Sequence, residues 1–369
     1  MNKRLLSLLI TILILSNSII SFGENLGLSG ESYVLIDEIS GRILIEKNPH
    51  QKMAMASTTK IMTALVAIEN CNLDEKVVIE KDSTNIEGSS IYLEEGEILS
   101  LKDLLYGLIL RSGNDSAVAI AKHVGKTEKK FIDLMNNKAK EIGALNTNFT
   151  NPHGLSEKGH YSTAYDLALI TREALKYKAF REIFMTKSYD ANRVKNNYFI
   201  NKNKTLWEYE GGDGGKTGYT MEAGRCLVSS AKRNEMRLIA VSLNAYDWFN
   251  DNYKLLDYGF ENFKPYIIYD KNQFMGNINI EDGEDYVNLV VENELIYPLT
   301  AEESSKIKLF FPLDEDIYPP IRKGDKIGVV ETYLDGVLIK KENLIANNYV
   351  RKTNLIDKLM KSIRNLDNN

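Results

Sequence analysis

Ala56-Ser57-Thr58-Thr59-Lys60-Ile61-Met62-Thr63-Ala64 sets the reading of this chain. Ile61, Met62, Leu65, Val66 and Ile68 recur with helical spacing over a wide face, so a largely buried helix is expected to open near Ser57. On a helix, residues i and i+3 share a face, which brings the Ser57 hydroxyl to the Lys60 amine. A serine at a helix start is first of all a natural cap. The same place suits a nucleophile, because outward-pointing backbone N–H groups can bind a developing oxyanion. Lys60 can accept the serine proton only when neutral, and burial or a second cation lowers a lysine pKa. The bland alternative, an exposed helix lysine, fits poorly on a helix this apolar.

Two later elements supply partners. Ser112-Gly113-Asn114 lies between an apolar helical stretch, residues 101–110, and Asp115, which can begin another helix. An ordinary interhelix turn uses the same residue types. In a catalytic setting Ser112 would relay a proton, and Asn114 would hold Lys60 and a substrate amide. Lys216-Thr217-Gly218 follows the run Gly211-Gly212-Asp213-Gly214-Gly215 and precedes an expected strand. There Lys216 offers charge and Thr217 a hydroxyl to a carboxylate, while Gly218 lets a ligand approach the strand edge. A flexible surface loop is the alternative. Each element alone is weak: Ser229–Lys232 and Ser305–Lys308 repeat the Ser/Lys spacing, and Ser83–Asn85 and Ser242–Asn244 repeat the Ser/Asn spacing. Ser229 falls on an expected strand, where i and i+3 face opposite ways. Order and local structure give the specificity.

The 369 residues are 43% hydrophobic and 26% charged, ordinary for globular protein, and suggest about two domains. A net charge of −5 argues against a nucleic-acid partner. Lys3 and Arg4 precede an apolar run over residues 5–15 and small residues ending at Gly23, the pattern of a secretory signal over residues 1–23. Ile19 and Ile20 keep an uncleaved anchor open, and both readings place the folded part outside the cytoplasm. There Cys71 and Cys226 could pair, although two buried thiols fit equally. His50, His123, His153 and His160 form no HExxH or comparable motif, so neither a metal nor another cofactor is expected.

Strands are expected at 33–37 and 42–45 around Ser40-Gly41, helices at 101–110, 115–124, 128–142 and 163–175, strands at 226–231 and 237–244, and a helix at 248–263. Strands, then helices, then strands imply an α+β catalytic unit over residues 24–263, an antiparallel sheet with a helical cluster. Composition shifts at Pro265, and five of the seven prolines lie from there on. Short β-runs at 287–291, 306–311, 326–332 and 336–340 indicate a small all-β domain over residues 264–349. In the tail, residues 350–369, Leu355, Ile356, Leu359, Met360, Ile363 and Leu366 oppose Lys352, Lys358, Lys361 and Arg364. That basic amphipathic pattern suits a membrane surface or packing on its own domain.

With these residues in view, the chain resembles the D-alanyl-D-alanine carboxypeptidases, the low-molecular-mass penicillin-binding proteins. Residues 56–64 resemble the family's nucleophile segment and Ser112-Gly113-Asn114-Asp115-Ser116-Ala117 its second motif. Asn151-Pro152-His153-Gly154-Leu155 resembles a further family segment, and Lys216-Thr217-Gly218-Tyr219-Thr220 with Ala223-Gly224 the third motif. The similarity spans roughly residues 33–263. It implies a penicillin-binding transpeptidase-type fold and release of terminal D-Ala from peptidoglycan stem pentapeptides through an acyl-enzyme on Ser57. It also implies an oxyanion hole from the N–H groups of Ser57 and Tyr219, covalent inhibition by β-lactams, and a rim position for His153. The setting it implies is the cell wall or the outer face of the cytoplasmic membrane. One departure stands out: the family usually carries an aliphatic residue before Lys-Thr-Gly, and here Gly215 could loosen the strand that holds Lys216.

Three rival readings share parts of this pattern. A class A β-lactamase needs a loop glutamate, and residues 141–146 approach that motif with the wrong spacing. A D,D-endopeptidase cutting cross-links would use the same site. A non-catalytic wall scaffold would not need Ser57, Lys60, Asn114 and Lys216 intact.

Overall fold

The computed structural model describes residues 26–354; residues 1–25, with the expected signal over 1–23, and residues 355–369, with most of the expected amphipathic tail, lie outside them. β1 (Ser32–Asp37) and β2 (Ile43–Lys47) form an antiparallel hairpin. The Asp37 carboxylate closes its turn by accepting from the Ser40 N–H and hydroxyl. A 3-10 turn over Ala56–Thr59 runs directly into the helix Lys60–Asn70, whose first eight residues are all buried. The hairpin β3 (Lys76–Val78) and β4 (Ile98–Ser100) precedes the helices Leu101–Leu110, Asn114–Gly125, Glu128–Glu141 and Ala164–Ala174. Two helix starts are fixed by side chains: Ser100 with Asp103 forms a capping box, and Thr163 accepts from the Asp166 N–H. A helix Lys178–Phe184 and a hairpin of β5 (Ser188–Asp190) and β6 (Tyr198–Ile200) follow.

The main sheet is completed by β7 (Gly212–Thr220), β8 (Gly224–Arg233) and β9 (Met236–Leu243), in the antiparallel order β2-β1-β9-β8-β7. Period-2 alternation sorts its side chains between two cores. Val34, Ile36, Ile239 and Val241 face the helical cluster. Leu35, Leu238 and Ala240 face the helix Trp248–Asn262 on the other side. β7 is left at the edge, beside the helices, with one row of backbone groups unpaired by the sheet.

The second domain pairs β10 (Lys264–Tyr269) with β13 (Leu295–Leu299). Its five-stranded sheet joins β11 (Phe274–Asn279), β12 (Tyr286–Val291), β14 (Ile307–Phe310), β15 (Lys326–Leu334) and β16 (Val337–Ala346) in the order β11-β12-β16-β15-β14. Val287, Val291, Val330 and Leu344 centre a separate core. Val350 is buried in that core and bridges Ile321, and Lys352 bridges Gly283. The start of the tail is therefore held by the β domain. β10, β11 and β13 were not expected from sequence, and β16 runs six residues further than the run 336–340. Arg42 joins the domains: it pairs with Glu303, donates to the Pro298 carbonyl at 2.5 Å and stacks between Phe263 and Tyr297.

Candidate active site

Ser57 sits within the 3-10 turn rather than at a side-chain cap, and Lys60 opens the α-helix proper. The spacing still brings them together: Lys60 Nζ lies 3.0 Å from Ser57 Oγ. Nζ also meets Asn114 Oδ1 at 2.7 Å and the His153 carbonyl at 2.5 Å. Both of those oxygens can only accept. A neutral amine has two hydrogens, which they consume, so its lone pair is left facing the Ser57 hydroxyl. Asn114 is fixed in that orientation because its Nδ2 donates to the Glu87 carbonyl. Gly88 (φ +91) makes room for it, since a Cβ there would lie 2.8 Å from Nδ2.

The electrostatics favour the neutral amine. Lys60 is 0% exposed, and burial first, then the neighbouring Lys216 cation, hold its pKa well below the ordinary lysine value, against an opposing pull from Asp115. The Asp115 carboxylate is committed elsewhere, accepting from Ser90 Oγ and from the N–H groups of Ile91, Leu93 and Ser116. Lys216, 1% exposed, is brought down to about 7 by burial and by Lys202. It donates to Ser112 Oγ at 3.0 Å and to the Thr217 carbonyl at 2.7 Å. The Ser112 oxygen is thus held by Lys216 rather than by Lys60. Ala56 (φ 47) and Ser112 (φ 61) are both left-handed, a conformation costing non-glycine residues about 1–3 kcal/mol that persists only where surroundings enforce it.

Lys216, Thr217 and Gly218 lie inside β7, not before a strand, and no loop separates them from the sheet. A Cβ on Gly218 would stand 2.9 Å from the Ser57 amide nitrogen, so the strand edge rests on the turn that carries Ser57. The Tyr219 side chain turns away, 63% exposed, into an open cavity of about 650 Å³ with Arg225 and Trp248. Gly215 does not loosen this strand. A Cβ there would lie 1.8 Å from Asn203 Nδ2 and 2.5 Å from the Val228 carbonyl, and one on Gly214 would lie 2.1 Å from the Phe184 ring. Both glycines make space for neighbours that clamp β7.

His153 packs at the site through its backbone carbonyl, and burial brings its ring down to about 4. Asn203, against Gly215 of β7, and His160, against Thr59 in the Ser57 turn, were not singled out from sequence; neither belongs to a local pattern. Cys71 and Cys226 are unpaired thiols. At the far end of the Lys60 helix, Cys71, Glu75 and His123 place ligand-type atoms within 4.8 Å of one another, and His123 Nε2 is already engaged by Glu75 at 2.9 Å.

A buried lysine against a serine, a second serine and asparagine, and a cationic strand edge define a serine acyltransferase of the SxxK type. The D-alanyl-D-alanine carboxypeptidase family matches residues 23–247, and the C-terminal domain of penicillin-binding protein 5 matches residues 263–352. The chain belongs to the D-alanyl-D-alanine carboxypeptidases, which are serine peptidases. Over 383 aligned residues it is 35% identical to the D-alanyl-D-alanine carboxypeptidase DacF of Bacillus subtilis (strain 168), covering 98% of each chain. It is 32% identical to DacA of Haemophilus influenzae, covering 90% of this chain and 88% of the relative. Penicillin binding protein 5 from Haemophilus influenzae superposes with a TM-score of 0.77 at 31% identity, over 88% of this chain and 98% of that one.

Proposed function

We propose that Ser57 is the nucleophile of a carboxypeptidase cycle on peptidoglycan stem pentapeptides. Lys60 takes the Ser57 proton as Oγ bonds to the penultimate D-Ala carbonyl. The N–H groups of Ser57 and Tyr219 receive the oxyanion, and Lys216 with Thr217 hold the terminal carboxylate. Collapse breaks the peptide bond, and Lys60 hands its proton through Ser112, which Lys216 steadies, to the departing D-Ala amine. Water then attacks the acyl-enzyme, giving its proton to Lys60, and Ser57 is reprotonated as the shortened peptide leaves. The observation that carries this reading is Lys60 Nζ, buried, with two acceptor-only partners and a serine hydroxyl at 3.0 Å. A β-lactam presents the same carbonyl and carboxylate and acylates the same serine.

The test is release of free D-Ala from a D-Ala-D-Ala-terminated stem peptide. Wild type releases it, and Ser57→Ala and Lys60→Met lose at least about a thousandfold in kcat, in line with losing a nucleophile or its base. Cleavage of a cross-linked dimer without D-Ala release would replace this reading by the endopeptidase.

The chain works outside the cytoplasm, and its finer location is the outer face of the cytoplasmic membrane, with residues 355–369 on the lipid surface. The basic amphipathic pattern supports this, and among the described residues no helix is long and apolar enough to cross a membrane. Deleting 355–369 should release the protein from anionic vesicles; unchanged binding would contradict the tail's role.

A further inference from the structure

The peptide plane between Ala56 and Ser57 is held from behind. Its front is the Ser57 N–H, against the Gly218 edge and assigned above to the oxyanion. Its back is the Ala56 carbonyl, which accepts from Thr59 Oγ1 at 2.8 Å. Thr59 Oγ1 in turn lies 2.8 Å from His160 Nε2, and His160 Nδ1 lies 3.1 Å from the Thr150 amide. Gly154 (φ +91) admits the carbonyl: a Cβ there would stand 2.0 Å from the Ala56 oxygen.

Proton counting fixes every direction in this chain. A backbone N–H only donates, so His160 Nδ1 carries the lone pair and the neutral ring bears its hydrogen on Nε2. The single Thr59 hydroxyl proton goes to Ala56, so Thr59 accepts from Nε2–H. Thr150 N–H, His160, Thr59 and the Ala56 carbonyl therefore form one unidirectional relay of polarisation, and polarising a carbonyl strengthens the N–H across the same amide. The ring is 6% exposed and packs edge-on to Phe149 at 5.9 Å. Burial brings its pKa to about 4; Glu157 opposes that and Lys60 adds to it, so it stays neutral in working conditions.

We propose that His160 and Thr59 are positioning residues for acyl transfer, which hold Ala56 left-handed and aim and polarise the Ser57 N–H toward the oxyanion. The proposal rests on the reading of Ser57 as nucleophile. Neither side chain touches the reacting atoms.

The experiment measures acylation by a fluorescent penicillin, separating initial binding from the acylation step, together with thermal melts. Thr59→Val keeps the shape and removes the hydroxyl; the acylation step should fall about tenfold, part of the 10²–10³ that loss of a whole oxyanion donor costs, with initial binding unchanged. His160→Leu should fall equally, and the double variant no further, because the two act in series. Thr59→Ser and His160→Gln keep a hydroxyl and a donor and should stay within about threefold of wild type. A folded Thr59→Val acylating at the wild-type rate overturns the proposal, as do losses that multiply in the double variant. Should His160→Leu fail to fold, the Thr59 Val/Ser pair decides alone. A wild type that does not label at all contradicts the nucleophile reading instead.

Discussion

Lys60 and Lys216 share one buried polar cluster, so a proton on either disfavours a proton on the other. Replacing Lys216 by Gln removes a cation that lowers the Lys60 pKa. With Lys60 as the proposed base, the acidic limb of the acylation-rate profile reports its loss of a proton and should therefore move to higher pH; a limb that stays put or moves down contradicts the coupling. Lys216 also carries a stability consequence. Its folded pKa is about 7, below the ordinary lysine value of 10.5, so the unfolded chain binds more protons across that window and stability rises with pH through it. Lys216→Met should raise the melting temperature near pH 7, with the gain shrinking toward pH 10, while activity is lost. An equal or lower melting temperature at pH 7 would show that the buried amine is no burden. Sequence showed the Ser57–Lys60 meeting through helix periodicity. It did not show that Ser112 belongs to Lys216, because that contact joins residues 104 apart.

β7 shows where local reading misleads. A glycine run suggests a loose strand, yet Gly214 and Gly215 are the positions where Phe184 and Asn203 press on the backbone. Phe184 ends the helix Lys178–Phe184 and Asn203 lies in the connection after β6, and no spacing within residues 211–218 points to them. Gly215→Ala should destabilise the protein by about 1–3 kcal/mol in urea denaturation, as overpacking does. Adding Asn203→Gly should recover part of that loss. A neutral Gly215→Ala would restore the loose-strand reading. His160 was silent for the same reason, since its partners Thr59 and Thr150 converge only in the fold. By contrast, the strands at 33–37 and 237–244 and the helices at 101–110 and 163–175 were legible, because each is set by neighbours a few residues away.

At the scale of the molecule, the boundary near Pro265 was visible in composition, while β10, β11 and β13 were not: Pro298 and Gly276 interrupt their patterns. What couples the domains is Arg42, whose guanidinium pairs with Glu303 and stacks 5.2 Å from Phe263 and 5.3 Å from Tyr297. Arg42→Ala should cost about 1–3 kcal/mol, separate the unfolding of the two domains in urea, and enlarge the radius of gyration in X-ray scattering. Penicillin acylation should stay within about twofold, since the site lies wholly in the first domain. A large loss of acylation would mean that the β domain shapes the site.

The central claim is that Ser57, activated by Lys60, forms the acyl-enzyme. Its most direct measurement is intact-protein and peptide mass spectrometry after incubation with benzylpenicillin. The account predicts one penicilloyl adduct, on the peptide containing Ser57, absent from Ser57→Ala and nearly absent from Lys60→Met. An adduct on any other residue, or one that persists in Ser57→Ala, would contradict it.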